Sequence, residues 1–275
     1  MKYLVVGCNG QLGSEFRVQL GDNADYVDID QLDITNEDAV QKYFANKNYD
    51  FVINCAAYTN VDKAEDEQNL AYDVNVNGTK YLAKYGKNII HISTDYVFDG
   101  MNYKPYVETD KPSPILVYGK TKLDGETEAL NNAETALVVR SSWMYSSYGN
   151  NFVKTMLDLA KDKSEINVIF DQIGSPTYAK DLASVIIKII PQIKLGSKEI
   201  YNYSNEGVCS WYDFASEILS LARLNCKVNP IETKDYPTKA IRPYYSVLNK
   251  SKIKNDFGIS IRHWKEGLRE CINQF

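Results

Sequence analysis

The sequence predicts an α/β protein: a doubly wound parallel sheet followed by a smaller, mixed α/β region that would bind substrate. Three observations lead there. Short segments that are apolar throughout alternate with longer amphipathic ones over residues 1–148. A glycine-rich turn, Gly7-Cys8-Asn9-Gly10-Gln11-Leu12-Gly13, follows the first apolar segment directly. After Asn150 the rhythm changes. Strands that are apolar on both faces, separated by helices, are what a parallel sheet covered on both sides requires.

Taken in order, residues 3–6 read as a strand and 12–20 as a helix. Residues 26–29 read as a second strand, and Thr35 with Asp38 gives a capping-box-like start to a helix ending at Phe44. Residues 51–55 form a third strand, followed by a long helical pattern over about 66–85. Residues 89–92 and 137–139 supply further buried strands around a helix near 117–130. Beyond Asn150 come helices over 151–161, 182–190, 211–221 and 264–272. A short segment at 168–170 and a strand-like stretch at 199–203 lie among them. We read residues 1–148 as a nucleotide-binding domain and 149–275 as mainly the substrate domain, with segments near 168–190 able to return to the first.

Composition excludes several classes. The 275 residues are 44% apolar and 24% charged, proportions that rule out a disordered or fibrous chain. A formal charge of −5 gives no footprint for nucleic acid or an anionic membrane surface. No apolar run approaches the roughly 18 residues of a membrane span, and the start MKYLVVGCNG is too short for a secretory signal. Five scattered Cys without CxxC spacing point to reduced thiols, hence a cytoplasmic setting. With only His91 and His263, histidine-based metal or triad chemistry has little to work with; with 21 Tyr, a phenol is the natural candidate.

The GxxGxxG turn has a physical reading. Gly7 permits the tight turn, Gly10 lets backbone approach a pyrophosphate, and Gly13 lets helix and strand pack closely. The pyrophosphate would sit on free N–H groups at the helix N-terminus, which places Asn9, Gln11 and Leu12 beside the cofactor. A carboxylate at the end of the second strand should take the adenosine ribose. Asp28 and Asp30 qualify and Asp33 follows; we favour Asp28, which closes the strand pattern. A carboxylate there repels a 2′-phosphate, so of NADH and NADPH the sequence slightly favours NADH.

Tyr118 and Lys122 stand four apart at the start of a predicted helix, on one face. A phenol titrates near 10 when unperturbed, and a nearby ammonium lowers that value, so the pair can exchange a proton with a carbonyl or alcohol oxygen. The same spacing occurs at Tyr43 and Lys47 in an amphipathic helix, where a surface pair suffices. Position separates them: Tyr118 lies just past Ser93-Thr94-Asp95, which closes an apolar strand beside the expected crevice.

These residues resemble those of the extended short-chain dehydrogenase/reductases, and most closely the branch that reduces dTDP-linked 4-keto-6-deoxy sugars. The likeness runs essentially end to end. It is carried by Asn54-Cys55-Ala56-Ala57-Tyr58-Thr59, Val61-Asp62-Lys63-Ala64-Glu65, Ser93-Thr94-Asp95-Tyr96-Val97-Phe98, Val117-Tyr118-Gly119-Lys120-Thr121-Lys122, Arg140-Ser141-Ser142-Trp143 and Asp171-Gln172-Ile173-Gly174-Ser175-Pro176-Thr177. The resemblance implies a Rossmann-type sheet and a nicotinamide coenzyme. It makes Tyr118 the general acid, Lys122 the holder of the nicotinamide ribose, and Thr94 the partner of the sugar C4 carbonyl. It places Asp95, Val97, Trp143 and Arg242 against substrate. It sets Ala56, Ala57, Tyr58, Thr59 and Ile92 along the cofactor, Asp33 and Ile34 by the adenine, and Asn75 in support of the lysine.

On the residues alone, Trp143 reads as a core aromatic, whereas Thr94 reads as a hydroxyl placed to bind a substrate carbonyl, with a strand-end cap as the alternative. There are departures from the family pattern. Ala240-Ile241-Arg242-Pro243 stands where the family often has Ala-Arg-Arg-Pro, which points to a remodelled substrate loop. Some members bind Mg²⁺ through glutamates at a dimer interface; Glu15 matches one, but Asn273 stands at the other. One carboxylate is a poor cage for a hard cation, so no metal is predicted, and either a monomer or a homodimer fits. Rival readings are a related epimerase or 4,6-dehydratase, and a non-catalytic subunit like that of methionine adenosyltransferase. Tyr96 stands where dehydratases tend to carry an acidic Glu, and Thr94, Tyr118 and Lys122 are retained together.

Overall fold

The computed structural model describes residues 1–275. Its elements run β1 (Tyr3–Val6), α1 (Gln11–Leu20), β2 (Ala24–Val27), α2 (Glu37–Phe44), β3 (Phe51–Asn54), α3 (Val61–Ala64), α4 (Gln68–Tyr72), α5 (Gly78–Gly86), β4 (Asn88–Thr94), α6 (Val117–Asn132) and β5 (Thr135–Ser141). They continue with β6 (Met144–Tyr145), α7 (Phe152–Asp162), β7 (Glu165–Ile169), β8 (Ile173–Gly174), β9 (Thr177–Tyr178), α8 (Ala179–Ile189), β10 (Lys198–Tyr203), β11 (Cys209–Ser210), α9 (Trp211–Ala222), β12 (Lys227–Ile231), α10 (Ser251–Phe257) and α11 (Trp264–Ile272).

Six strands form one parallel sheet in the order β2-β1-β3-β4-β5-β10. Successive side chains on a strand face opposite sides, and here both sides are apolar. Val5, Ile53, Ile90 and Val139 pack with Phe16 of α1 and Leu182 and Ile186 of α8. Leu4, Val52, Ile89 and Val138 pack with Val40, Phe44, Leu82 and Ala129 beneath α2, α5 and α6. The order of connections reverses between β1 and β3, and in such sheets ligands bind outside the carboxyl ends of the strands at that reversal. No helix is long and apolar enough to cross a membrane.

The chain after residue 148 goes to two places. α8 lies across α1, and β10 completes the sheet beside β5. The helices α7, α9 and α11 with the parallel pair β7 and β12 enclose a separate core around Phe214, Trp264 and Leu268.

Two local expectations need correction, and a third gains detail. The second strand ends at Val27, because residues after it turn at once: Gln31 and Leu32 both donate N–H to the Asp28 carbonyl, at 3.0 and 2.9 Å. The α2 cap is Asn36, whose side chain accepts from the Ala39 N–H; the Thr35 hydroxyl is already donated to Asp33 Oδ1 at 2.7 Å. The helical stretch expected near 66–85 is present from residue 68 to 86, with a π-helical segment over Asp73–Asn77 joining α4 to α5, and α3 precedes it as a separate short helix.

Candidate active site

The glycine turn is shaped by what the three glycines approach. Gly7 has φ +76°, and a Cβ there would lie 2.6 Å from the Ala56 nitrogen. A Cβ on Gly13 would overlap the Gly7 carbonyl oxygen. Gly10 is different, since a Cβ there would meet only that oxygen, at 3.4 Å, and otherwise open space. Its bareness serves whatever approaches from outside. Gly10 is the N-cap of α1 and no side chain caps the helix, so its first N–H groups remain available to an anion.

A groove of about 390 Å³ runs from this turn between β1 and β3 and includes Gly7, Gly10, Asp28, Asp33, Ile34, Ala56, Ala57 and Tyr58. Asp30 does not line it. Asp28 is held by two backbone donors, the Asn9 and Ile29 N–H groups, each at 2.9 Å. Leu32, Ile34 and Val74 supply an apolar wall for a planar base. The residues present therefore suit a dinucleotide: a bare glycine at a helix N-terminus, then a fixed carboxylate, then an apolar slot.

A second cleft of about 470 Å³ shares Gly10, Cys55 and Ala57 with the first. It contains Gln11, Leu12, Thr59, Ile92, Thr94, Asp95, Tyr118, Lys122 and Trp143. β4 ends there at Thr94, and α6 begins with Tyr118 in its first turn and Lys122 one turn later. Ser141, Ser142, Gly149 and Asn150 also line this cleft; the two serines lie in a stretch that carries the family resemblance but were given no role, and nothing in the sequence singled out Gly149 and Asn150.

Burial dominates the electrostatics. It pushes the Tyr118 phenol up to about 12, opposed by the Thr94 hydroxyl and reinforced by the charge of Asp95. It pushes the Lys122 ammonium down to about 8, with Glu126 resisting. This corrects the expectation that Lys122 lowers the phenol. Lys122 Nζ instead donates to the Ile92 carbonyl at 2.5 Å, and burial of Tyr118 outweighs any help from it. Asp95 is buried, pushed up to about 7, and its Oδ2 has no hydrogen-bond partner. Its Oδ1 accepts from the Thr94 hydroxyl at 3.1 Å.

Behind Ser93, which lines the cleft, lies a buried ion pair that forms its underlying floor. Glu126 accepts from Arg140 Nε and Nη2 at 2.9 and 2.7 Å and from the Ser93 hydroxyl at 2.5 Å. Both charged side chains are 2% exposed. An Arg inside the apolar stretch of β5 was the available signal for this pair.

Trp143 sits at φ +48°, a left-handed conformation costly for a bulky residue. Its ring stacks on Trp211 at 3.6 Å, and a Cβ on Gly174 would lie 2.5 Å from the indole. That stack leads into a third cavity, of about 370 Å³, lined by Phe152, Gln172, Trp211, Tyr236, Asp62 and Arg242. Arg242 is tied to Asp62 at 2.6 and 3.3 Å, and the Ala240 N–H donates to the same carboxylate at 3.0 Å.

Two expected site residues sit elsewhere. Val97 is fully buried with Phe98, Tyr106 and Leu248, away from the cleft. Asn75 is buried and makes no bond to Lys122; it accepts from the Tyr58 N–H at 2.9 Å and donates to the Thr121 hydroxyl at 3.0 Å. It fixes the loop after β3 against α6. Glu15 is also turned inward, accepting from the Ser146 hydroxyl at 2.6 Å.

Comparison with known proteins settles the family. The family described as RmlD substrate binding domain matches residues 1–275. The chain belongs to that family. A curated member, dTDP-4-dehydrorhamnose reductase of Aggregatibacter actinomycetemcomitans, is 44% identical over 98% of this chain and 97% of its own length. The crystal structure of a dTDP-4-dehydrorhamnose reductase from Clostridium acetobutylicum is 44% identical, with a TM-score of 0.95, covering 100% of this chain and 99% of its own. Another family structure, a dTDP-4-dehydrorhamnose reductase from Bacillus anthracis in complex with NADP, is 38% identical. It has the same TM-score and covers 100% of both chains.

Proposed function

We propose that this chain is an oxidoreductase of the dTDP-4-dehydrorhamnose reductase type, reducing the C4 keto group of dTDP-4-dehydro-6-deoxy-L-mannose to give dTDP-L-rhamnose. The observation that carries this is the meeting of Thr94, Tyr118 and Lys122 in a cleft continuous with the dinucleotide groove, in a chain of this family. When bound, the reduced nicotinamide coenzyme supplies the hydride. Gly7, Gly10 and Asp28 would hold its phosphates and adenosine ribose, and Lys122 its nicotinamide ribose.

Tyr118 gives its proton to the C4 oxygen as charge develops there. Held near 12, the phenol is protonated at neutral pH, the form a reduction requires. Thr94 donates to the same oxygen. Trp143, braced by Trp211, forms a flat wall for the sugar, while Asp95 faces its hydroxyls. Arg242, at the third cavity, would meet the nucleotide's phosphates.

The fixed Asp28 carboxylate supports a modest preference for NADH over NADPH. Oxidation of each coenzyme, followed at 340 nm with the dTDP-linked keto sugar, tests the reading and ranks the two. Rapid oxidation with dTDP-L-rhamnose as product is expected. No oxidation with either coenzyme, from folded protein that binds them, would overturn it. Tyr118→Phe keeps the ring and removes the proton, so turnover should fall about 100-fold or more while coenzyme binding is nearly unchanged.

A further inference from the structure

Two cleft residues carry a buried polar atom with no hydrogen-bond partner, Gln11 Oε1 and Asp95 Oδ2, and the second stands beside the hydroxyl that the reaction uses. Asp95 follows Thr94 directly, and the two side chains share a hydrogen bond whose direction matters. A hydroxyl has a single hydrogen to give. In this structure Thr94 gives it to Asp95 Oδ1 at 3.1 Å, while its oxygen accepts from the Tyr96 N–H at 3.2 Å. Thr94 pointed this way has no hydrogen left for a substrate oxygen. With a proton on Asp95 the bond can run the other way: the carboxyl donates to Thr94 Oγ1, and the hydroxyl hydrogen turns into the cleft.

We infer that Asp95 is a positioning residue whose protonation sets the direction of the Thr94 hydroxyl, so that the neutral carboxyl is the working form. The inference rests on the proposed reductase reading. Its geometry is the Thr94–Asp95 bond and the unpartnered Oδ2 at the base of the cleft. The environment agrees. Burial pushes Asp95 up to about 7, resisted by the nearby Ser246 and Thr94 hydroxyls. The other titratable groups around it are Tyr96, pushed up by burial, Tyr118 at about 12, and Lys122 at about 8. Farther out, Arg242 and Asp62, paired with each other, act on Tyr96 in opposite directions. Only Asp95 and Lys122 change charge near neutrality. A group working in its neutral acid form gives activity that is full below its folded pKa and is lost as pH rises through it.

The test is the pH dependence of kcat and of kcat/KM for the full-length protein and for Asp95→Asn. An asparagine amide donates to Thr94 at every pH, so the variant imitates the neutral carboxyl. It should lose the fall near pH 7 and retain only a limb near 8 from Lys122. Asp95→Leu, which cannot donate, should lower kcat about tenfold or more at every pH with a smaller change in KM. A second readout needs no substrate: infrared difference spectra of the parent should show a protonated-carboxyl band titrating near pH 7, absent from Asp95→Asn.

A parent that oxidises neither coenzyme would overturn the reductase reading itself. An active parent with Asp95→Asn sharing its profile would overturn the role of Asp95 alone. So would loss of all activity in Asp95→Asn at every pH, or a missing infrared band.

Discussion

Two carboxylate–guanidinium pairs, one behind Ser93 of the cleft and one at the third cavity, are alike in chemistry and opposite in setting. Glu126 and Arg140 form the floor, each 2% exposed, with Ser93 completing the carboxylate's bonds. Asp62 and Arg242 fasten the loop that follows β12 to α3, and are 41% and 22% exposed. In the floor, water cannot replace a lost partner, so each charge depends on the other. At the strap, water competes with both, and a backbone N–H from Ala240 shares the carboxylate. The same ion pair thus makes a rigid base in one place and a releasable fastening in the other.

Removing half of the floor should have the largest effect. Glu126→Gln leaves Arg140 charged and buried and should cost about 3–5 kcal/mol in urea unfolding. The pair replacement Glu126→Leu with Arg140→Met should be more stable than either single change, because no charge is stranded. If Glu126→Gln costs under about 1 kcal/mol, the floor is no different from the strap.

An intermediate effect should come from the aromatic wall. Gly174→Ala places a methyl group against the Trp143 indole. It should destabilise the fold by about 1–3 kcal/mol through overpacking and raise KM for the keto sugar more than it lowers kcat. An unchanged KM would separate Trp143 from substrate.

The strap should matter least for stability. Asp62→Asn should cost about 1 kcal/mol or less, with its main effect on KM for the dTDP-sugar. Its pH dependence is also signed. The Arg242 guanidinium holds the Asp62 carboxyl below its ordinary value, so this contribution is present above about pH 4, the unfolded value, and is lost as acid protonates the folded carboxyl. Loop release on acidification, read from Trp211 fluorescence, should vanish in Asp62→Asn.

Much of the dinucleotide groove was legible because it is made of backbone geometry. Only glycine tolerates Gly7's φ and Gly13's contacts, so the turn writes itself into residue identity. Thr94, Tyr118 and Lys122 were legible through spacing and strand ends. The rest depends on distance in the chain. Nothing local in residues 199–203 says that this strand joins β5 rather than a second sheet, since its pattern suits either. The α2 cap passed from Thr35 to Asn36 because Asp33 competed for the threonine hydroxyl, a contest of two hydrogen bonds that residue preference does not decide. The third cavity joins Asp62, Gln172, Trp211 and Arg242 across the fold, and only Arg242 was assigned to substrate beforehand.

The sheet's last strand has a consequence for how the molecule is made. β5 is edged by β10, and the apolar face of α1 is covered by α8, both delivered after residue 178. A ribosome that has released only the first 148 residues has therefore exposed Phe16, Ile90 and Val139 with no lid and an unpaired β5 edge beside them. Such a nascent chain is a natural client for chaperones. Cutting the polypeptide at residue 148 should yield two insoluble fragments rather than two domains, and co-expressing them should recover solubility only when β10 finds its place.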